Sequence, residues 1–325
     1  MNILITGAGS VMGQSIYKAL AAHDFGEPLS IHFANSIELG AGRFFNDPRA
    51  RVTAVPIFPL AADPNFNAFL EDYVATSKID IVFAGTQHEL AKISAYRDKT
   101  LKAATISQEI ADICMDKLRT AEVMEKHGVR VPRTQSFEAY LENPSIGGPV
   151  IVKPNHSSSS RSIYRFESHL AATESEIVQS GKEHSFLVQE RLAGDEFTCG
   201  CYVDRYSKAV KLICFRRTLT PDGATFYGEI VTDPRIRTYV SDVAHALIDE
   251  GMDFGHINVQ LIMDETGPCL FEINGRLSST EASKAHFGFN SCAAFVHNIV
   301  RQEEFTGWDI AEAGRFLRYY EELYF

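Results

Sequence analysis

Short apolar runs separated by amphipathic stretches occupy the first third of the chain. The apolar runs predict β-strands at Asn2–Thr6, Ser30–Ala34, Val52–Val55 and Ile79–Ala84. Apolar residues at helical spacing between these runs predict one helix that ends near Ala22 and another over Phe66–Thr76. Strands that alternate with helices are typical of a parallel sheet covered by helices, so this part predicts a small α/β domain.

The pattern changes in the rest of the chain, where several apolar runs follow one another without a helix between them. These runs predict strands at Gly148–Val152, Ser185–Gln189, Phe197–Val203 and Lys211–Phe215. Helical spacing predicts one helix over Thr238–Asp249 and a last amphipathic helix over Ala313–Phe325. This part therefore lacks the regular alternation of strand and helix that the first third shows.

The stretch from His256 to Thr280 predicts a β-hairpin with one polar face. Apolar residues alternate with Asn258 and Gln260 before a turn at residues 264–268, and a second strand follows it. Because side chains alternate along a strand, Glu272, Asn274 and Arg276 should share one face.

This face offers oxygen ligands and a cation. Gln260, Glu272 and Asn274 could bind Mg²⁺, which prefers oxygen ligands, and Arg276 offers two parallel donors to an anion. The polar outer face of an ordinary hairpin is the equally weighted alternative, because a hairpin with three such oxygens is common.

Two further polar stretches follow predicted strands. His88 and Glu89 lie beyond the carboxyl end of the Ile79–Ala84 strand, where open α/β sheets bind ligands. They indicate a substrate contact, or else an acid placed favourably at a helix N-terminus. Ser157–Ser162 follows Lys153 and Pro154, and its hydroxyls and Arg161 suit phosphate oxygens. A surface linker is the alternative for this serine-rich stretch.

A glycine-rich turn follows the first predicted strand. Gly7, Gly9 and Gly13 form G-x-G-x-x-x-G before a helix, and Glu38 lies where a dinucleotide-binding domain would place a ribose-binding acid. This makes an NAD-dependent oxidoreductase one hypothesis. The third glycine comes one residue later than in the usual dinucleotide fingerprint, so glycine used for packing alone is the favoured interpretation.

Composition narrows the class of protein. The net charge of -11 argues against a general nucleic-acid or acidic-membrane binder, and no apolar run has the roughly 20 residues that span a bilayer. The six cysteines form no CxxC pair, and Met1 leads directly into a strand. We therefore expect a cytoplasmic protein with reduced thiols, no signal peptide and no membrane association.

Taken together, Lys117, Lys153, residues 189–196 and residues 260–276 resemble the ATP-grasp ligases, and more narrowly the short relatives of the carbamoyl-phosphate synthase large chain. The resemblance covers nearly the whole chain. It implies a doubly wound pre-ATP-grasp domain at residues 1–112 and a two-lobed clamp at residues 113–185 and 186–325. In the family, such a clamp is an α+β structure that holds ATP between antiparallel sheets.

The resemblance also implies a role for individual residues. The implied nucleotide contacts are Lys117, Lys153, Ser159, Ser160, Arg161, Gln189, Glu190, Leu192, Glu196 and Arg216. Among these, residues 189–192 resemble the adenine-binding hinge and Glu196 the acid that holds the ribose hydroxyls. Gln260, Glu272 and Asn274 resemble the metal ligands. Lys153, Arg217 and Arg276 resemble the groups that act at the transferred phosphate, with His88, Glu89 and Arg276 at the substrate.

The implied activity is the ATP-dependent joining of a carboxylate to an amine through an acyl phosphate, with ATP and Mg²⁺ or Mn²⁺ as cofactors. Both substrates would be small molecules, no nucleic acid or membrane is expected, and a homodimer is the assembly considered. The chain departs from the family in its serine-rich covering loop and in Gly275, where proline is frequent. A catalytically silent nucleotide-binding subunit and the oxidoreductase are the alternatives.

Overall fold

Three β-sheets organise this computed structural model, which describes residues 1–97, 101–156, 162–173, 175, 185–221 and 223–324. The predicted residues Ser159, Ser160 and Arg161 lie outside the described residues. Within the described part, no helix combines the length and the apolar character that crossing a membrane requires.

The N-terminal sheet has five strands: β1 (Asn2–Thr6), β2 (Leu29–Phe33), β3 (Asn46–Asp47), β4 (Ala50–Thr53) and β5 (Ile81–Ala84). Their order is β3-β4-β2-β1-β5, and all pairs except β3-β4 are parallel. Helix α1 (Val11–Ala21) packs on one face. Helices α2 (Phe66–Thr76) and α3 (Gln87–Ile93) pack on the other, so the domain is doubly wound as predicted.

Two helices, α4 (Gln108–Met115) and α5 (Lys117–Lys126), connect this domain to a four-stranded antiparallel sheet, and α6 (Phe137–Glu142) follows the first strand of that sheet. The strands are β6 (Thr134–Ser136), β7 (Val150–Pro154), β8 (Tyr164–Phe166) and β9 (Phe186–Glu190), in the order β6-β9-β7-β8, and α7 (His169–Thr173) lies beside them. Because β9 pairs with β6 and β7, this sheet extends past the boundary predicted at residue 185.

The third sheet has six antiparallel strands: β10 (Asp195–Val203), β11 (Val210–Leu219), β12 (Thr225–Ile230), β13 (Gly255–Asp264), β14 (Gly267–Asn274) and β15 (Arg315–Leu317). Their order is β14-β13-β10-β11-β12-β15. Helix α8 (Pro234–Asp249) packs on one face together with α4 and α5. Helices α9 (Glu281–His286) and α10 (Ser291–Val296) follow the hairpin, and a π-helical turn over His297–Arg301 continues α10.

The predicted helix over Ala313–Phe325 is wrong. Residues 315–317 instead form β15, which pairs with β12, and residues 318–324 are not helical. The Phe316 ring lies against Gly228, where a Cβ atom would come within 2.3 Å of it. A glycine on β12 therefore positions this segment as a strand. The local hydrophobic pattern of residues 313–325 cannot predict that long-range contact.

A single apolar core joins the N-terminal sheet to the six-stranded sheet. The ring of Phe295, on α10, lies 6.4 Å from Phe83 of β5 and 5.2 Å from Tyr202 of β10. Trp308 packs at the edge of this core, 4.7 Å from the ring of Phe305 and 5.2 Å from that of Phe289. This aromatic core holds the N-terminal domain against the six-stranded sheet, at the end of the sheet that lies near Tyr202 and that we call its inner end.

Candidate active site

A cavity of about 750 Å³ lies between the four-stranded and the six-stranded sheets. Strands β7 and β9 contribute one wall, and β10, β11, β13 and β14 contribute the other. Residues 85–87, which follow β5, close one end. Pockets of this volume hold small-molecule ligands in proteins. We call this cavity the cleft.

The hairpin has the register expected from its sequence. Asn258 pairs with Asn274 and Gln260 with Glu272, so the polar residues of β13 and β14 share the face that lines the cleft. Among the described residues, neither the Glu272 carboxylate nor the Asn274 side-chain amide makes a hydrogen bond or an ion pair. Two oxygen-bearing side chains are therefore left available to a ligand.

These residues suit a metal that shares its ligands with phosphate. No cluster of three or more His, Cys, Asp or Glu that could hold a metal occurs in the described part of the chain. Mg²⁺ is typically bound by one or two carboxylates together with phosphate oxygens and water. Glu272 and Asn274 fit that donor set, and Gln260 is less available because its Oε1 accepts from Arg217 at 3.0 Å.

Lys153 projects from β7 between the two sheets. Its Nζ donates to Gln189 Oε1 at 2.8 Å and to the carbonyl of Phe271 on β14 at 3.1 Å. Both acceptors are neutral. Burial lowers the pKa of Lys153 to about 8, against the opposing charge of Glu272. A buried ammonium held by neutral oxygens can transfer its hydrogen bonds to phosphate oxygens.

Lys117 begins α5, where the Asp116 side chain accepts a hydrogen bond from the backbone of Arg119 and caps the helix. Its Nζ donates to the carbonyl of Asn155 at 3.1 Å. Burial lowers the pKa of Lys117, while the charge of Glu272 opposes the shift. The cap thus brings a second lysine to the same end of the cleft as Lys153.

The two predicted arginines of β11 lie on opposite faces of the sheet. Arg217 lines the cleft and donates to Glu196 Oε1 and Gln260 Oε1. Arg216 is half exposed and pairs with Glu229 at 2.8 Å on the other side. Because neighbouring strand residues point to opposite faces, the position of Arg216 does not fit the predicted nucleotide contact.

The predicted hinge lies where β9 leads into β10. Gln189 is buried and joins Lys153 to the hydroxyl of Thr134, while Glu190 also lines the cleft and its carboxylate pairs with Arg133. Leu192 and Glu196 line the cleft. The turn between them needs Gly194, where a Cβ atom would lie 2.0 Å from the Met263 carbonyl oxygen.

Arg276 joins the hairpin to the N-terminal domain. Its guanidinium donates to Gln87 Oε1 at 2.5 Å and to the Leu277 carbonyl at 3.1 Å, and it contacts Met12. Burial lowers its pKa, and the charges of Glu272 and Glu281 oppose that shift. The side chain lines the end of the cleft nearest to α1 and α3.

The two predicted substrate contacts on α3 have different environments. His88 is exposed and borders a second cavity beside the cleft. Glu89 instead accepts from the Thr86 hydroxyl at 2.8 Å in a capping box, and its carboxylate lies against Gly7. Burial raises the pKa of Glu89. Glu89 therefore stabilises the start of α3, and a direct substrate contact is not supported.

The glycines of the first turn are explained by packing. A Cβ atom at Gly7 would lie 2.2 Å from the Glu89 carboxylate, and one at Gly13 would lie 2.8 Å from the Gly7 carbonyl and from the backbone of Ala8. A Cβ atom at Gly9 would lie 2.9 Å from the amide nitrogen of Asn35. These contacts account for the motif without a dinucleotide, as the sequence favoured.

A buried polar network around Lys284, at the inner end of the hairpin, was not predicted from the sequence. Lys284 is fully buried, and its Nζ donates to Glu281 at 2.8 Å, Asn258 at 2.9 Å and Ser278 at 3.0 Å. Burial lowers the pKa of His256, beside it, to about 3, so this imidazole is neutral. The signal in the sequence was the Glu281–Lys284 spacing of three residues on a helix directly after the hairpin.

Comparisons with known proteins agree with this geometry. The family model described as ATP-grasp domain matches residues 114–280, just over half of the chain. A search of curated proteins found no match.

Solved structures are similar over nearly the whole chain. L-amino acid ligase from Bacillus licheniformis is 16% identical, with 96% of this chain and 77% of that chain covered and a TM-score of 0.71. N5-carboxyaminoimidazole ribonucleotide synthetase from Thermus thermophilus is 10% identical, with 98% and 82% covered and a TM-score of 0.71. The biotin carboxylase domain of Hydrogenobacter thermophilus 2-oxoglutarate carboxylase, solved with MgADP and bicarbonate, is 15% identical, with 94% and 70% covered and a TM-score of 0.70. At these identities the likeness shows the fold.

Proposed function

This chain belongs to the ATP-grasp family, and from that premise we propose that it is an ATP-dependent ligase that activates a carboxylate as an acyl phosphate and joins it to an amine. Its cofactors are ATP and Mg²⁺. One observation carries the proposal: the oxygens of Glu272 and Asn274, which have no partner among the described residues, line the same cleft as the buried ammonium of Lys153.

The chemistry asks the protein for positioning and for charge. A carboxylate is a poor electrophile, and transfer of the γ-phosphoryl group of ATP to it gives an acyl phosphate that an amine can attack. Phosphoryl transfer is catalysed chiefly by holding the groups in line and neutralising their charge. Lys153, Lys117 and Arg217 supply cations to the cleft, and no nucleophilic side chain is required.

Different residues of the cleft would bind the phosphates, the ribose and the adenine of the nucleotide. Lys153 and Lys117 lie near the edge of β14, where they would hold phosphate oxygens. Glu196, farther along β10, would accept from the ribose hydroxyls, and residues 189–192 would meet the adenine edge. Arg217 now pairs with Glu196, so nucleotide binding would exchange this internal partner for the ligand.

Glu272 and Asn274 would hold Mg²⁺, with Gln260 completing the set. When bound, this ion supplies positive charge to the phosphate oxygens during transfer. Arg276 would receive the substrate carboxylate, because its planar guanidinium matches two carboxylate oxygens. Its contact with Gln87 would fix the acceptor at the boundary with the N-terminal domain.

The similar structures support this class of reaction. Two of them are named a ligase and a synthetase, and the third was solved with MgADP and bicarbonate. None of these names identifies the carboxylate or the amine used by this chain.

The direct test is a screen of carboxylates with Mg-ATP and hydroxylamine, a small nucleophile that traps acyl phosphates as hydroxamates. We expect at least one carboxylate to give ADP and hydroxamate together. Thermal stabilisation by NAD in place of ATP, without ADP release from any carboxylate, would instead favour the oxidoreductase. ATP binding without ADP release would favour a silent nucleotide-binding subunit.

Glu272→Gln tests the assignment of the metal site in the same assay. Loss of its negative charge should lower the rate of ADP release by about 100- to 1,000-fold, because electrostatic stabilisation usually contributes more to catalysis in such sites than any other effect. Glu265→Gln is the matched control, since Glu265 is exposed in the turn of the same hairpin. Near-normal ADP release by folded Glu272→Gln would contradict the assignment.

A further inference from the structure

A second cavity, of about 440 Å³, opens beside the cleft along the outer edge of β14. We call it the side cavity. It shares four residues with the cleft: Gln87, Lys117, Glu272 and Asn274. Because Glu272 and Asn274 are the proposed metal ligands, the two cavities meet where the acyl phosphate would form.

The side cavity has an apolar wall. This wall consists of Ala61, Ala62, Ala91, Cys114, Met115 and Ile273. The residues come from the N-terminal domain on one side, and from the end of α4 and from β14 on the other. A short apolar group would fit against them without requiring a hydrogen bond.

The charged groups of the side cavity are mainly basic. Among its described lining residues, Glu272 is the only carboxylate, and the proposed metal would engage it. His156 lies 3.3 Å from Asp116, so its charge is already matched when it is protonated. Lys92 is exposed in the last turn of α3 and has no ion pair within the described part of the chain, and His88 lies one turn before it. These groups favour an anionic ligand.

We propose that the side cavity binds the amine substrate, and that this substrate is an amino acid with a free carboxylate and a short apolar body. The inference rests on the proposed ligase activity and deepens it. The carboxylate lies towards Lys92 and His88, the apolar part lies on the alanine and methionine wall, and the amine points to the junction with the cleft.

This arrangement brings the two substrates together from two sides. Gln87 borders both cavities and contacts Arg276, which would hold the activated carboxylate in the cleft. The neutral amine attacks the acyl carbon, a C–N bond forms and the C–O bond to the phosphoryl group breaks. The phosphate leaves with that electron pair and takes up the proton that the amine loses.

A carboxylate fits this cavity better than a phosphate monoester. Lys117, the other lysine among the described lining residues, would be engaged by the nucleotide phosphates, which leaves Lys92 as the lysine available to this ligand. Lys92 and His88 at an apolar wall suit the smaller charge of a carboxylate. The apolar wall also excludes a purely polar amine such as ammonia as the preferred ligand.

Two substitutions test the site, one by filling the cavity and the other by removing its positive charge. Ala91→Phe places a ring into the cavity from an exposed helix position, and Lys92→Gln removes the cation while keeping a long polar side chain. Lys18→Gln is the matched control, because Lys18 is likewise an exposed lysine in the last turn of a helix, α1, and borders neither cavity.

In the turnover assay, the rate of hydroxamate formation is the reference for the rate of amide formation. Hydroxylamine has no anionic group, so its reaction should not depend on Lys92. For Lys92→Gln we expect the KM for the amino acid to rise about tenfold relative to that reference, the size of one charge-assisted contact. Ala91→Phe should remove most amide formation. Equal losses of amide and hydroxamate would overturn the inference, since they would show no specific effect on the amine.

Equilibrium binding tests the site without any turnover. A panel of α-amino acids and β-alanine is titrated calorimetrically into the full chain saturated with Mg²⁺ and a non-hydrolysable ATP analogue, with ethanolamine and phosphoethanolamine as comparison ligands. We expect an amino acid to bind at least about tenfold more tightly than either comparison ligand, again the size of one charge-assisted contact. Binding should be lost in Ala91→Phe and unchanged in Lys18→Gln.

The outcomes separate this inference from the proposed function. Amino-acid binding that both cavity variants weaken supports the site even if no carboxylate ever yields a hydroxamate, which would count against the ligase alone. Tighter binding of phosphoethanolamine, no binding of any amino acid, or binding that Ala91→Phe leaves intact would overturn the inference whatever the hydroxamate assay shows.

Discussion

The two ends of the polar face on β10, β13 and β14 are built from similar residues and differ in how those residues are paired. At the inner end, Lys284 has a carboxylate and two neutral oxygens within hydrogen-bonding distance. At the cleft end, Lys153 has only neutral oxygens, and Glu272 has no hydrogen-bonding partner among the described residues. At the inner end the buried cation is paired with a carboxylate of the protein, although Glu281 Oε2 has no hydrogen-bond partner among the described residues, and the cleft end leaves charge for a ligand.

The difference teaches that a buried charge is informative only together with its partners. Burial tends to raise the pKa of Glu281, but the charge of Lys284 and the hydrogen bonds from Lys284 and the Ser278 backbone together lower it, and the pKa lies below its ordinary value. An ion pair made in this way stabilises the position of the residues around it. The buried cation of Lys153 instead remains costly in the folded chain, and a phosphate bound there would offset that cost.

The largest expected effect comes from breaking the buried ion pair at the inner end. Lys284→Met should lower the free energy of unfolding by about 3–5 kcal/mol, because it leaves Glu281 charged and buried without its cation. The measurement is urea unfolding at neutral pH. Lys126→Met is the control: this lysine is exposed and pairs with Glu250 at the surface, so we expect a change of less than about 1 kcal/mol. Similar midpoints for both variants would contradict the contrast.

Removing the cleft cation should affect turnover instead. Lys153→Met should lower kcat by about 100- to 1,000-fold, because in the proposed mechanism the ammonium would position and neutralise the phosphates. Its unfolding free energy should change far less than that of Lys284→Met, since no buried carboxylate loses its only cation. ADP release and urea unfolding measure the two effects. A large loss of stability with normal kcat would reverse the roles that we assign to the two lysines.

A smaller effect should follow from Glu196→Ala. If Glu196 accepts both ribose hydroxyls, its contact is equally strong in the ground and transition states, and its loss raises KM for ATP while kcat stays nearly constant. The expected rise is about ten- to a hundredfold, from the loss of roughly 1–3 kcal/mol. Comparison of ATP with 2′-deoxy-ATP gives the specific readout. A variant that kept the full preference for ATP would refute the ribose assignment.

The smallest effect is the pH dependence of the cleft lysine. Because burial lowers the pKa of Lys153 to about 8, its ammonium is lost as the pH rises through that value. At about pH 9 we expect kcat/KM for ATP to lie about tenfold below its plateau. Lys153→Arg should remove this decline, since arginine stays charged over the whole range.

Stability should change in the opposite direction over the same interval. Between about pH 8 and the ordinary lysine pKa of roughly 10.4, the unfolded chain binds a proton at Lys153 that the folded chain does not, so the contribution to the free energy of unfolding rises with pH. Lys153→Met should lack this rise. If activity and stability fell together in the wild type, a group other than Lys153 would control the profile.

The sequence predicted the cleft end because its signals are local. Alternation along β13 and β14 and the turn between them determine the register, and that register places Gln260 opposite Glu272. The choice between Arg216 and Arg217 is not local: it depends on the pairing of Phe197 with Arg216 across two strands. The alternation of side chains along β11 shows only that Arg216 and Arg217 point to opposite faces, and not which of them faces the cleft.

The inner end depends on residues far apart in the chain. Lys284 fits over β10 because residue 200 is glycine, where a Cβ atom would lie 2.9 Å from the Lys284 side chain. The C-terminal strand depends in the same way on Gly228 beneath Phe316. In both places a glycine on one strand makes room for a residue many positions away in the chain. The hydrophobic periodicity within one segment cannot predict such a contact.

The packing of Trp308 has a consequence for spectroscopy. It is the only tryptophan in the chain, and it contacts Phe289 and Phe305 beside the inner end of the sheet. It does not line the cleft. Intrinsic fluorescence excited in the indole band therefore reports the loosening of that aromatic cluster during denaturation. An optical assay of nucleotide occupancy would need a fluorophore introduced at the cleft, and the two signals could then be recorded from one sample without interfering.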